Sequence, residues 1–161
     1  MNMAIKLKIL FLCTGNSCRS QMAEGWTHAL KGDFIEVYSA GIETHGLNQT
    51  AVEIMAEAGV DIAAHTSKHV DTLRHIIFDA VITVCDNARE TCPFFPGARK
   101  ILHVGFSDPP AMAKDLAAQG AGEEKQRNCY RQVRDEIRAF VESLPEALDA
   151  PENIGTVPVG H

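Results

Sequence analysis

The sequence predicts one α/β domain, a three-layer sandwich built around a four-stranded parallel sheet. Four short apolar runs are typical of buried strands, and segments with helical periodicity lie between most of them. The length of 161 residues is enough for one ordinary hydrophobic core and too short for two typical domains. We therefore expect a single domain over residues 1–148 and a flexible polar tail over residues 149–161.

The predicted strands are the apolar runs Leu7–Leu12, Phe34–Tyr38, Ala80–Val84 and Lys100–Val104. Because helical segments separate most of these runs, we expect the strands to be parallel. Open parallel sheets bind ligands outside the carboxyl ends of their strands. Cys13, Cys85 and Asp108 follow three of these ends, so we expect them to face one crevice.

Three helices are predicted from the spacing of their apolar residues. The first follows the first strand, with apolar positions from Met22 to Leu30, and stops at Gly32. The second begins at a capping residue, Asn48, and ends at Gly59, where a left-handed residue is expected. The last is the clearest, because one apolar stripe runs along it. That stripe comprises Cys129, Val133, Ile137, Phe140 and Leu144.

The composition argues against several kinds of partner. A formal net charge of −6 repels nucleic acid and anionic lipid, so an anionic substrate has to be captured by a local site. The sequence contains neither a signal-peptide pattern nor the ~18 consecutive apolar residues of a membrane span. We therefore expect a cytoplasmic monomer whose five cysteines are thiols, catalytic groups or ligands rather than a disulfide framework.

A segment with the spacing C-x5-R-S joins the first strand to the first helix. Its small residues allow successive main-chain N–H groups to point inward around an anion, and the positive end of the helix adds to that field. Arg19 can bind two anion oxygens, and the same field favours Cys13 as a thiolate nucleophile. The predicted oxyanion-binding residues are Thr14, Gly15, Asn16, Ser17, Cys18, Arg19 and Ser20.

The alternative is an ordinary strand-to-helix turn in which Cys13 is only a small buried residue. The preceding strand, the following helix and the place of Arg19 disfavour that alternative. We expect Cys18 to fill the loop rather than act as a nucleophile, although a protective disulfide with Cys13 is open to it.

The loop residues Cys13, Arg19 and Ser20 resemble those of the low-molecular-weight tyrosine phosphatase superfamily, which includes the thioredoxin-dependent arsenate reductases. The resemblance extends from about Lys8 to Leu144. It implies a phosphatase-like fold in which Cys13 is the nucleophile, Arg19 binds the oxyanion and Ser20 forms a hydrogen bond with the thiolate. The C-x5-R pattern alone does not separate the phosphatases of this superfamily from its reductases.

Asp108 and Pro109 come soon after the fourth predicted strand. An oxygen that leaves a tetrahedral oxyanion needs a proton, and a carboxyl group near the nucleophile usually supplies it. The pair resembles the Asp-Pro loop of the family, in which the aspartate is the general acid. The alternative is a turn in which Asp108 only caps the backbone.

Cys85 and Cys92 lie seven residues apart, starting where the third strand ends. On a helix they would be about 10.5 Å apart along the axis, whereas a disulfide requires Cα atoms within about 7 Å. The pair can bond only if such a helix unwinds, and Pro93 marks a boundary that permits this. The alternatives are two small buried residues, or a zinc site whose spacing would be unusual. Cys129 is explained by its apolar helical stripe.

The resemblance implies a thiol relay, because the thioredoxin-coupled reductases have a C-x6-C pair that matches Cys85 and Cys92. Cys13 would attack arsenate, and Cys85 would then attack the Cys13 sulfur and release arsenite. Cys92 would form the final disulfide with Cys85. Thioredoxin would reduce that disulfide, so no bound cofactor is expected.

Four further residues resemble a family network that supports the loop: Asn16, Glu24, Ser39 and Thr66. Some reductases of the family bind potassium with a carboxylate where this chain has Lys68. A lysine ammonium can occupy the same place, or it can be a solvated surface charge, so we expect no required metal. His65 and His69 have helical spacing but lack an evident third ligand, and we expect them to be structural or solvent-facing.

Three functions therefore remain open. The first is an arsenate reductase, and the second is a low-molecular-weight protein tyrosine phosphatase in which water cleaves a phosphocysteine at Cys13. The third is a module that binds oxyanions without turnover. The pair Cys85 and Cys92 favours the first function, because hydrolysis needs no resolving thiols.

Overall fold

The computed structural model describes residues 5–85, 95 and 98–149, and this part of the chain contains a four-stranded sheet. The strands are β1 (Leu7–Cys13), β2 (Ile35–Gly41), β3 (Ala80–Thr83) and β4 (Ile101–His103). They are ordered β2-β1-β3-β4, and each pair is parallel. The four predicted strands are confirmed, but their bounds differ. β1 continues through Cys13 and β2 through Gly41, β2 starts one residue later than predicted, and β3 and β4 are shorter than predicted.

The described α-helices are α1 (Arg19–Lys31), α2 (Gln49–Glu57), α3 (Pro109–Ala118) and α4 (Glu123–Glu142). Short 3-10 helices lie at Val70–Leu73 and Glu146–Asp149. The predicted helices correspond to α1, α2 and α4. Asn48 caps α2 as predicted, since its side chain accepts the Ala51 N–H at 2.9 Å. The sequence did not predict α3, which begins with two prolines; proline fits the first turn of a helix because no intrahelical N–H bond is needed there.

The sheet separates two apolar clusters, because alternate residues of a strand point to opposite faces. Ile9 and Phe11 of β1 belong to a cluster formed with α1, α2 and α4. Leu10 and Leu12 belong to a second cluster, which includes Phe78 and the first 3-10 helix. The sheet is therefore the middle of three layers, as predicted.

The strand register places three segments at one edge of the sheet. Leu12 pairs with Thr83, and Thr83 pairs with His103, so β1, β3 and β4 end side by side. The residues that follow these strands include Cys85 and Asp108. Their common location agrees with the predicted crevice at the carboxyl ends of the strands.

Residues 150–161 of the predicted tail lie outside the described residues, and the boundary of the domain stays a prediction. Among the described helices, none combines the length and the apolar character needed to cross a bilayer.

Candidate active site

A cavity of about 190 Å³ lies where β1 ends and α1 begins. The loop between these two elements forms most of its wall, and His45 and the segment before α3 complete it. The lining residues are Cys13, Thr14, Gly15, Ser17, Cys18, Arg19, His45, Asp108 and Pro110. The structure therefore brings together the predicted nucleophile, the predicted oxyanion-binding arginine and the predicted general acid.

Cys13 is nearly fully buried, and its sulfur lies 3.0 Å from Ser20 Oγ. Asn16 Nδ2 donates to the same hydroxyl oxygen at 2.8 Å. Because the amide occupies an acceptor position of the hydroxyl, the hydroxyl proton is available to the sulfur. Ser20 thus lies behind the cavity and can donate its hydroxyl proton to the Cys13 sulfur, in agreement with the expected hydrogen bond.

Arg19 connects the loop to the segment before α3. Its guanidinium donates from Nη1 to the Phe106 carbonyl at 3.1 Å, and its Nε lies 3.6 Å from Asp108 Oδ1. Arg19 is buried, whereas the Asp108 side chain is 33% exposed, so the carboxylate can exchange protons with solvent. Asp108 precedes α3, but its side chain makes no capping hydrogen bond to that helix. The alternative of a simple cap is therefore not supported.

Asn16 lies behind the cavity rather than in its lining, and it is fully buried. Its φ of 49° is a left-handed conformation that residues with side chains adopt infrequently. Its side-chain amide donates to Ser20 and Ser39, and its side-chain oxygen accepts the Lys68 N–H at 2.7 Å and Gln21 Nε2 at 3.1 Å. These four hydrogen bonds hold the loop in a conformation that its backbone alone disfavours.

The hydrogen-bond network extends from Asn16 through Ser39 and Lys68 to Glu24 and Thr66. Glu24 Oε1 accepts the Ser39 hydroxyl at 2.5 Å and lies 3.9 Å from Lys68 Nζ, and that ammonium donates to the Thr66 carbonyl at 2.7 Å. The predicted supporting residues are therefore connected, and Lys68 is part of their network rather than a solvated surface charge.

His65 joins the same network through its ring. Its Nδ1 lies 3.0 Å from Gln21 Oε1 and 4.0 Å from Glu24 Oε1. Burial lowers the pKa of His65; the Glu24 charge opposes that shift, and the Lys68 charge adds to it. A neutral ring in a hydrogen-bonded network agrees with the structural role predicted for this histidine.

Three residues at the site were missed by the sequence analysis: Gln21, His45 and Ser67. Gln21 contacts Asn16, whereas the His45 N–H and the Ser67 hydroxyl both donate to the Gly15 carbonyl at 3.1 Å. His45 and Ser67 lie in irregular segments outside the C-x5-R spacing. No sequence pattern indicated their contacts with the loop.

Cys85 follows β3 and is fully buried. The Val84 N–H donates to the Leu12 carbonyl at 3.0 Å, which holds the end of β3 beside the end of β1 and therefore beside Cys13. Cys85 forms a disulfide, whereas the described cysteines of the loop and of α4 are free. Cys92 lies outside the described residues, so its role stays a prediction.

The two remaining described cysteines have local explanations. Burial raises the pKa of Cys18; the Asp108 charge adds to this shift and the Arg19 charge opposes it, so the thiol stays neutral in the cavity wall. Cys129 lies in the buried stripe of α4, and its sulfur is 3.7 Å from the Lys125 carbonyl. Both agree with the predicted packing roles.

Within the part of the chain that the structure describes, no three His, Cys, Asp or Glu side chains are grouped as a metal site. The two histidines with helical spacing have different partners. His65 contacts Gln21, and His69 accepts the Asp71 N–H at 3.0 Å as the cap of the first 3-10 helix.

The sequence is similar to a family described as low molecular weight phosphotyrosine protein phosphatase, whose profile matches residues 8–153. An arsenate reductase of Halalkalibacterium halodurans is 48% identical over 141 residues, which covers 88% of this chain and 96% of the relative. An arsenate reductase of Bacillus subtilis is 50% identical over 129 residues, with coverage of 80% and 88%.

Solved structures show the same similarity. An arsenate reductase in a phosphate-binding state has a TM-score of 0.70 and 29% identity, and the match covers 88% of this chain and 98% of the other. An arsenate reductase in an oxidized state has a TM-score of 0.67 and 29% identity, with coverage of 85% and 95%. A low molecular weight protein tyrosine phosphatase from T. tengcongensis, with a TM-score of 0.62 and 24% identity over 89% of this chain and all of the other, shares the fold.

Proposed function

Because the chain belongs to the low molecular weight phosphotyrosine protein phosphatase family, we propose that it uses the nucleophilic cysteine loop of this fold as an arsenate reductase. Arsenate reductases at 48% and 50% identity, which align over most of their own length, support the reaction. One observation about the site carries the proposal: Cys13, Arg19 and Asp108 line a single cavity at the carboxyl edge of the sheet.

The first step forms a bond between sulfur and arsenic. The Cys13 thiolate attacks the arsenic atom while Arg19 holds arsenate oxygens, and Asp108 gives a proton to the oxygen that leaves as water. The 3.6 Å contact between the Arg19 and Asp108 side chains supports this division of roles, because it places the acid beside the oxyanion-binding group. The product is a Cys13–arsenic adduct in which arsenic is still pentavalent.

The second step reduces the arsenic. The Cys85 thiolate attacks the Cys13 sulfur, the sulfur–arsenic bond breaks, and its electron pair stays on arsenic, which leaves as arsenite. Cys92 then attacks the Cys85 sulfur and releases Cys13 as a thiolate. The disulfide at Cys85 and the free Cys13 agree with an oxidised state whose disulfide does not include the nucleophile.

Thioredoxin is the partner we propose for the return to the reduced state, because the final disulfide needs an external dithiol. A thioredoxin-linked enzyme works in a reducing compartment, and we therefore propose a cytoplasmic location. We propose no metal cofactor. Lys68 Nζ lies beside Glu24 and the Thr66 carbonyl, where it supplies the positive charge that a bound potassium ion would otherwise provide.

Phosphotyrosine hydrolysis is the second candidate, since the family and the cysteine loop are shared with phosphatases. The cavity favours a small oxyanion. Its described lining contains no Phe, Tyr or Trp side chain against which a phenyl ring could pack.

The test is arsenate turnover with thioredoxin, thioredoxin reductase and NADPH. We expect the variants Cys13→Ser, Cys85→Ser and Cys92→Ser to lose multiple turnover, since each removes one sulfur of the relay. Cys129→Ser is the matched control, because this free cysteine lies in α4 away from the cavity lining, and it should retain turnover.

Each other outcome has a defined meaning. Normal cycling by Cys85→Ser and Cys92→Ser would show that the relay is wrong, and consumption of aryl phosphate without arsenate turnover would establish the hydrolase. Equal rates in potassium and sodium buffers are expected from the place of Lys68, and a requirement for potassium would contradict it.

A further inference from the structure

Two consecutive residues outside the cysteine loop hold two consecutive residues within it. The Ser67 hydroxyl donates to the Gly15 carbonyl at 3.1 Å, and the Lys68 N–H donates to the Asn16 side-chain oxygen at 2.7 Å. Ser67 is half-buried and lies 52 positions from Gly15 along the chain. This segment is therefore a tertiary support for the loop.

The Gly15 carbonyl has a second donor, the His45 N–H, also at 3.1 Å. Two donors from different segments fix the direction of this carbonyl oxygen. Because the peptide group is planar and trans, they also fix the direction of the following Asn16 N–H. A side chain at Gly15 would collide with the His45 ring, so the segment at His45 packs directly against this residue.

The orientation of this peptide bears on the nucleophile. The Gly15–Asn16 peptide precedes Asn16, which has a left-handed backbone conformation. The side-chain amide of Asn16 donates to Ser20 Oγ at 2.8 Å. The Ser20 hydroxyl in turn contacts the Cys13 sulfur at 3.0 Å. A rotation of the peptide would therefore shift Asn16 and, through it, the hydroxyl that supports Cys13.

We infer that Ser67 is a positioning residue of the oxyanion site, whose hydroxyl fixes the Gly15–Asn16 peptide and thereby the shape of the anion-binding loop. This inference deepens the proposed function and rests on it, because it assumes that the loop binds an oxyanion. Ser67 does not line the cavity, so its effect is exerted through the loop and not through contact with the substrate.

The experiment compares Ser67→Ala, Ser67→Val and Ser67→Thr in the full chain, with inorganic phosphate as a redox-inert probe and calorimetry as the measurement. Valine and threonine have nearly the same shape, so this pair isolates the hydroxyl. Loss of one hydrogen bond should weaken phosphate binding about threefold to tenfold in the alanine and valine variants. The threonine variant should bind within about twofold of wild type, since it keeps the donor.

Ser143→Ala is the matched control, because the Ser143 hydroxyl donates to the Phe140 carbonyl at 2.5 Å on the surface beyond α4. It removes the same kind of bond and should leave the phosphate affinity unchanged. Thermal unfolding of each variant shows whether it is folded at the temperature of the binding measurement. A purely structural role for Ser67 would lower the unfolding temperature without changing the affinity of the folded protein.

Equal affinities for the valine and threonine variants, or an alanine variant that binds like wild type, would overturn the inference. If wild type still turns over arsenate in that case, the proposed function stands. If wild type itself neither binds phosphate nor turns over arsenate, the proposed function fails, and this inference fails with it.

Discussion

Two polar networks in the described part of the chain differ in their exposure to water. Beneath the cysteine loop, the side chains of Asn16, Gln21 and Ser39 are fully buried. Between α2 and α4, Arg131 and its neighbours pair with carboxylates that are much more exposed, among them Glu57 at 38%. Water can replace a lost partner in the second network but not in the first. Similar contact distances in the two networks therefore imply different energies.

The largest expected effect is that of Asn16→Ala in the buried network. The substitution removes four side-chain hydrogen bonds and leaves buried partners unsatisfied, and alanine disfavours the left-handed conformation of this residue. We expect a loss of about 3 kcal/mol or more in the free energy of unfolding. The value of kcat/KM for arsenate should fall at least about 100-fold, because the loop loses its shape.

Asn128→Ala is the matched control from the exposed network, where Asn128 Oδ1 accepts Arg131 Nη1 at 2.6 Å. Its effect on unfolding in urea should be within about 0.5 kcal/mol. Comparable losses of stability and activity in the two variants would show that burial does not distinguish the networks.

The sequence predicted the features that local patterns encode. Strand and helix periodicity predicted the sheet and three helices, and the C-x5-R spacing together with the resemblance predicted Cys13, Arg19 and Asp108 at one site. It missed α3, because an Asp-Pro-Pro segment is also typical of a turn. The structure shows that the segment starts a helix at Pro109 instead of forming only a turn.

The supports of the loop could not be predicted in the same way. Ser67 and His45 reach the Gly15 carbonyl from segments that are distant along the chain, and their contacts depend on how those irregular segments pack after β2 and α2. No periodicity or motif specifies such contacts. The conformation of Asn16 could not be predicted either, since its side chain is held by partners on three segments, namely α1, β2 and the segment at Lys68.

A smaller effect is expected from His65, which tests the buried network through pH. Burial lowers the pKa of His65, whereas the Glu24 and Asp61 charges raise it and the Lys68 and His28 charges lower it. At pH values below the ordinary histidine pKa of about 6.5, the unfolded chain therefore binds more protons at His65 than the folded chain does. Stability should fall as the pH falls through that value.

His65→Gln should remove this contribution, so the free energy of unfolding in urea should depend less steeply on pH between about 7 and 5. His75→Gln is the control, because His75 is exposed and replacement removes an imidazole outside the network. An unchanged slope in His65→Gln would mean that the ring is hydrated well enough to titrate as it does in the unfolded chain.

The smallest effect is expected from Glu57→Gln in the exposed network. Arg131 Nη2 lies 2.9 Å from Glu57 Oε2, and this hydrogen bond is the main cause that lowers the pKa of Glu57 to about 2. A lowered carboxyl pKa contributes stability above the ordinary value of about 4.3, and that contribution is lost as the pH falls towards 2. The exposed pair nevertheless contributes little, because water solvates the carboxylate when it is unpaired and also the guanidinium that Glu57→Gln leaves unpaired, and salt screens the pair over about 8 Å at physiological ionic strength. We therefore expect the free energy of unfolding of Glu57→Gln in urea to equal that of wild type at neutral pH and physiological salt, and to be measurably lower only at low salt.

The effect of Asn16→Ala should not depend on salt, because buried neutral hydrogen bonds are not screened. A large and salt-independent loss in Glu57→Gln would place both networks in the same energetic class, and contact distance would then outweigh exposure.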